Sequence, residues 1–218
     1  MEKIIGAVIG AVLIACAYYI AMDWMEKKEA WGLKRKGELL ADWKVLGIGV
    51  LTLAAWIGIG MMGSLYQEPV EMCLSGILVW GLAALSISDI QEKKIPNRFL
   101  LLLILIWVVI VGLYIIYDTE SGIALFFRSA AGGLISGLIF LLCYILSRRE
   151  LGAGDVKLTA VMGLYLTGQR IMGAIFYGIL FCFLYSIIQL CRKKLGLKDG
   201  VALVPFLYIG TVVALLLL

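Results

Sequence analysis

The chain predicts an all-α fold, a polytopic bundle of membrane helices with about eight transmembrane spans and both termini outside. Three observations carry this reading. The 218 residues are 63% hydrophobic, with a mean hydropathy of +1.03, whereas ordinary soluble domains are about 45–50% apolar. That excess does not fit inside one core of this size, so lipid must solvate much of the surface. Apolar stretches long enough to span, or nearly so, recur along the whole chain, and the longest polar segment, Asp23–Lys44, is too short to fold alone. Residues 1–218 therefore read as a single membrane-embedded domain.

The expected spans, in order, are Ile4–Met22, Val45–Leu65, Val70–Ser88, Phe99–Tyr117, Ile123–Ser147, Val156–Thr167, Ile171–Leu190 and Val201–Leu218. Most are rich in Leu, Ile and Val and lack the polar face of a soluble helix. Leu13-Ile14-Ala15-Cys16 resembles a lipoprotein cleavage site. Cutting there would place the basic segment that follows on the outer face, against the charge bias below, so the first span is read as retained. Asp23–Lys44 carries Trp24, Trp31, Trp43, Leu39 and Leu40 among its charges. It reads either as short interfacial helices broken near Gly32 and Gly37 or as a solvated loop anchored by tryptophans.

Orientation follows from the cations. Of 19 Lys and Arg, all but Lys3, Arg128 and Arg170 fall in Asp23–Lys44, Asp89–Arg98, Arg148–Asp155 with Lys157, and Cys191–Gly200. These are alternate connections of an eight-span chain, and their bias makes that face cytoplasmic. The expected location is the inner (cytoplasmic) cell membrane. Gly6/Gly10 and Gly133/Gly137 are small-x-x-x-small pairs, read as helix-packing sites.

There is no histidine. That excludes Ser-His-Asp and Cys-His catalysis and any imidazole metal site. The five cysteines, Cys16, Cys73, Cys143, Cys182 and Cys191, form no C-x-x-C pair and read as small buried hydrophobes. No metal or cofactor is expected.

Most of the fifteen carboxylates sit among basic residues in loops. Asp89 and Asp155 differ. Asp89 ends an apolar span in LAALSISDI, and Asp155 begins one in GAGDVKLTAVMG. Both lie at cytoplasmic helix ends, so they can share one depth and face each other. The span after Asp155 is about a dozen residues, or roughly 18 Å, against a hydrocarbon core of about 30 Å. Either the bilayer thins there or the Asp155 end is recessed, and an ionisable group at such depth is a functional candidate. Two close carboxylates cannot both ionise easily. The ionised one can take a proton from water and the neutral one can donate to a carbonyl, which hydrolyses a peptide bond without metal or nucleophilic side chain. Gly152 and Gly154 permit a close-approaching backbone beside Asp155, and Gly154 is positioned to cap the following helix. The plainer alternative is that Asp155 is only a helix N-terminal residue and Asp89 only an interfacial charge. Spacing alone does not separate the two.

Taken together, DIQEKKIPN (Asp89–Asn97) and GAGDVK (Gly152–Lys157) resemble the paired signatures of type IV prepilin leader peptidases, membrane aspartic proteases of the G-x-G-D type. A weaker match is Val204-Pro205-Phe206 in the last span, and the resemblance covers roughly Val70–Leu218. It implies an endopeptidase that removes the basic leader of prepilin-like proteins at the cytoplasmic face, with Asp89 and Asp155 as the catalytic pair. Gly152 and Gly154 would shape the loop, and Pro96 and Asn97 would fix the chain as it re-enters the membrane in the first turn of a helix. Lys157 would orient or tune Asp155, or simply snorkel to the interface. Lys93, Lys94 and Arg98 read as topology signals. The implied partners are a prepilin-like substrate and the lipid bilayer, with no nucleic acid. Longer family members carry two C-x-x-C pairs between their first helices and many also methylate the trimmed pilin. The equivalent region here has no cysteine, so only the peptidase activity is carried over. The spelling is most similar to short peptidase-only members of Flp/Tad type. Two rivals remain from the residues themselves: a presenilin-like intramembrane protease, which shares G-x-G-D, and a transporter using two acids for proton coupling.

Overall fold

The computed structural model describes residues 43–61, 69–147, 151–192 and 201–218. All regular structure among them is helical: α1 (Trp43–Met61), α2 (Pro69–Glu92), α3 (Asn97–Tyr117), α4 (Thr119–Leu146), α5 (Ala153–Tyr165), α6 (Gln169–Cys191) and α7 (Val204–Leu217). The expected span Ile4–Met22, the Gly6/Gly10 pair, Cys16 and the segment from Asp23 up to Asp42 lie outside the described residues. Trp43 and Lys44, expected in the interfacial segment, already belong to α1.

Each of these helices coincides with an expected span. Four of them, α2, α3, α4 and α6, are long and apolar enough to cross a membrane, and α7 is a shorter apolar helix. This is a membrane protein, and α3 shows why. Phe99, Leu100, Leu103, Trp107 and Val111 recur at helical spacing and are buried, while Leu101, Leu105, Val108 and Leu113 point outward. An outward leucine face is tolerated because hydrocarbon is its solvent, and a helix satisfies its own backbone there. The same reasoning corrects the cysteines. Cys73, Cys143 and Cys191 are exposed on helix surfaces and Cys182 is half-buried, because a thiol facing lipid needs no burial in protein.

Helix α2 forms the centre. Its Leu74, Leu78, Leu82 and Leu85 are almost wholly buried, and α1, α3, α5 and α7 pack around it. Around that axis stand two tight pairs, α4 with α5 and α6 with α7. Each pair crosses at glycines. A Cβ on Gly132 would lie 2.5 Å from the Gly163 carbonyl oxygen, and one on Gly210 would press on the Gly178 backbone. Gly133 and Gly137 do serve packing, against Leu164 and Ala160 of α5. The tightest approach is nevertheless Gly132 on Gly163, which pattern matching did not single out. Close backbones let helices gain dispersion contact where lipid supplies no hydrophobic drive. Polar ties add to it. Ser136 donates to the Thr159 carbonyl (2.9 Å), Tyr165 to the Leu103 carbonyl (2.7 Å), and Tyr208 shares a hydrogen bond with Thr52 (2.9 Å).

At the end remote from Asp89 and Asp155, Glu71 of α2 pairs with Arg170 of α6 (3.5 Å) and Arg128 of α4 (3.6 Å). These arginines are two of the three basic residues outside the basic connections. A buried carboxylate between them makes the departure from the charge bias tolerable.

Candidate active site

The site begins with how α2 ends. The helix continues past the expected boundary at Ser88 to Glu92, so Asp89 sits within its last turn rather than beyond it. There the chain turns through Lys93, which adopts a left-handed φ of 52°, and the Lys93 N–H bonds to the Asp89 carbonyl (3.0 Å). Ser88 Oγ donates to the Lys94 carbonyl (3.1 Å) and closes the turn. Pro96 then caps α3, with φ −70° and ψ 118°, and its carbonyl accepts from Phe99 and Leu100. Pro96 therefore stands one residue before the first turn where it was expected, and Asn97 takes the first helical position. The locked φ of proline suits that boundary equally well.

Asp155 is placed by the start of α5. Gly152 is the N-cap, with φ −66° and ψ 131°, and its carbonyl accepts the Asp155 N–H (3.0 Å). The cap is thus Gly152 and not Gly154, while Asp155 lies in the first turn as expected. The glycines are needed for space. A Cβ at Gly152 would lie 2.9 Å from Asp155 Oδ2, and one at Gly154 would lie 3.1 Å from Ile95 Cβ. Gly154 is where the two motifs touch.

Three further contacts gather the site. Lys157 Nζ donates to Asn97 Oδ1 (3.1 Å), a second link between the motifs. The Val204 N–H at the start of α7 donates to Asp89 Oδ2 (3.0 Å). Cys182 of α6 lies within electrostatic reach of Asp155. Asp89 is only 6% exposed and Asp155 is half-buried. Asp155 precedes its apolar span, and its pKa is pushed up to about 6. Burial is the main cause and the Asp89 charge the second, with the Gly152 N–H acting in the opposite direction. A carboxylic acid that stays partly protonated near neutrality, within electrostatic reach of a second carboxylate, has the ingredients of paired acid and base chemistry.

All seven expected site residues fall at this end of the bundle. Lys157 resolves differently from the first expectation. It lies two residues after Asp155, a rotation of about 200° around the helix, and it reaches Asn97, not the Asp155 carboxylate. With Asn97 it stands at the mouth of an apolar cavity of about 620 Å³ between α3, α4 and α5, walled by Leu101, Ile104, Leu134 and Leu164. Sequence reasoning included Ile95 in its first motif without a contact for it, and missed Cys182 and the Val204 N–H. The Val204-Pro205-Phe206 match was the signal available for the last.

A model of the type IV leader peptidase family matches residues 76–187, about half of the chain and both aspartate motifs. The chain belongs to the type IV leader peptidase family. It is also 26% identical, over 166 residues, to a prepilin leader peptidase/N-methyltransferase of Bacillus subtilis (strain 168). That similarity covers 76% of this chain and 61% of the relative, so the chain spans about three-fifths of that protein's length. No solved structure matches the chain. Within the family match lie Asp89, Pro96, Asn97, Gly152, Gly154, Asp155 and Lys157, whereas Val204 lies beyond it.

Proposed function

We propose that this family member is a membrane aspartic endopeptidase that removes the basic leader of type IV prepilin-like proteins at the cytoplasmic face. The topology that goes with it has eight spans, with both ends of this sequence outside and the peptidase-only scope of the Flp/Tad-type members. The observation that carries the reading is the meeting of the two motifs at one end of the bundle. Gly154 packs on Ile95, Lys157 holds Asn97, and Asp155 feels the charge of Asp89.

In this mechanism the ionised carboxylate takes a proton from water as the water oxygen attacks the scissile carbonyl carbon. The neutral carboxyl gives its proton to the carbonyl oxygen. The gem-diol then collapses. The first carboxyl passes its proton to the leaving nitrogen, the second recovers one from a hydroxyl, and the pair returns to its starting state. Gly152 keeps the space that the Asp155 carboxylate occupies. Lys157 and Asn97 hold α5 to α3 so that Asp155 stays at the depth of Asp89.

The test is processing of a prepilin-like protein by the full chain in membranes, with the scissile bond mapped by mass spectrometry. Asp89→Asn and Asp155→Asn should each reduce cleavage to background at unchanged protein level. Substantial cleavage by either variant removes the two-aspartate mechanism. A cut inside the substrate's apolar helix, instead of before it, replaces leader removal with intramembrane proteolysis.

A further inference from the structure

We propose that the first turn of α7 is a positioning element of the catalytic site, in which the Val204 backbone N–H fixes Asp89 as the base and leaves Asp155 as the acid. This rests on the two-aspartate reading above, which by itself does not say which carboxyl does what.

The argument starts from the donors that a helix start leaves over. The first N–H groups of a helix have no partner within it. In α7, Leu203 is the N-cap. The Phe206 and Leu207 N–H groups both turn back to the Leu203 carbonyl, at 3.0 and 3.1 Å. Pro205 has no N–H to give. Val204 is fully buried, so its N–H needs a protein partner, and that partner is Asp89 Oδ2 at 3.0 Å. The Leu203 N–H adds a weaker interaction with the same carboxylate.

The consequence is an asymmetry within the pair. Burial works against the charge of Asp89, while backbone donors at the positive end of another helix, and the Lys93 ammonium more weakly, favour it. Asp155 has a backbone donor in the Gly152 N–H, while burial first and the charge of Asp89 second work against its ionisation. The last helix therefore biases which carboxyl activates water through the Val204 N–H, although α7 supplies no catalytic side chain. Proline at the second helical position serves this by leaving Val204 as the donor of the first turn that reaches Asp89.

The experiment replaces the Val204 amide with an ester, using the α-hydroxy analogue of valine in the full chain. That removes the N–H and keeps the side chain. The readout is kcat/KM for cleavage of a prepilin-like protein against pH. The acid limb should move upward by about one pH unit, the size expected for losing a hydrogen bond to a charged group, while Val204→Ala, which keeps the N–H, should retain the parental limb. A helix cap with only a structural role would lower the rate and Tm and leave the limb in place, and that result overturns the proposal. Should the ester chain fail to reach the membrane, infrared titration of the remaining carboxyl in Asp155→Asn and Asp89→Asn decides it. Asp89 should release its proton at lower pH than Asp155, and the opposite order overturns the assignment. If Asp89→Asn itself still cleaves, the two-aspartate reading has failed instead.

Discussion

Gly132→Ala should slow the proposed cleavage from a position well away from the two aspartates. A Cβ there would lie 2.5 Å from the Gly163 carbonyl oxygen and 3.3 Å from that of Leu166, where ordinary contact begins near 3.4 Å. The shortfall of about 0.9 Å is against backbone, which cannot rotate aside, so α5 must move off α4 as a body. Asp155 rides on α5, about 12 Å from Gly163 at the rise of a helix. Overpacking of this kind destabilises by about 1–3 kcal/mol, and a misplacement of about 1 Å at a catalytic group slows reaction by roughly 10²-fold. Gly137→Ala meets only the Ala160 Cβ at 3.0 Å, and Gly112→Ala meets nothing within 4 Å. Cleavage should therefore fall in the order Gly112→Ala, Gly137→Ala, Gly132→Ala, measured as kcat/KM on a prepilin-like protein together with Tm of the purified chain. Equal rates for Gly132→Ala and Gly112→Ala would refute the idea that the α4–α5 crossing sets the position of Asp155.

Four other outcomes follow from the contacts. If Asp155 is the acid, kcat/KM should fall as pH rises through its raised pKa of about 6, because the raised value keeps the proton below that pH and loses it above. A rate that stays flat across that range speaks against it. Lys157→Met should lower activity by no more than about 10-fold and leave the pH limb unmoved, since its exposed bond to Asn97 is worth about 1 kcal/mol; a displaced limb would mean that it tunes Asp155 after all. Glu71→Gln should destabilise by about 1–3 kcal/mol through its two arginine contacts while the pH profile stays unchanged, to be read by thermal unfolding and cleavage together. Lys93→Gly and Lys93→Ala both remove the charge, but only glycine relieves the φ of 52°, so the glycine variant should be the more stable by about 1 kcal/mol, compared by Tm.

The family match covers Asp89 through Lys157 and stops before Val204, and the sequence was informative over much the same stretch. Both aspartates, the glycines of the second motif, and Pro96 and Asn97 were legible because helix ends are written locally. Apolarity stops, charge begins, and glycine or proline marks the boundary. Less legible was the use made of each residue. Gly152 caps α5 and makes room for the carboxylate, whereas Gly154 receives Ile95. Neither task shows in G-A-G-D, because each depends on which atom from elsewhere occupies the space. The cysteines misled for a related reason, since an apolar neighbourhood in the chain does not distinguish burial in protein from exposure to lipid.

The sequence by itself pointed to a membrane protein whose regular structure is helical, as it is among the described residues, and to two distinctive carboxylates at helix ends next to basic segments. Those facts need only composition and spacing. Tertiary structure decided that Lys157 turns to Asn97 and away from the Asp155 carboxylate, that Gly132 meets Gly163, and that Val204 gives its N–H to Asp89. The physical reason is rotational. Each residue advances about 100° around its helix, so a side chain's neighbours depend on which helices pack beside it and at what height. A backbone N–H carries no residue-specific mark at all, and its role appears only when a helix from 115 positions away brings it to a carboxylate.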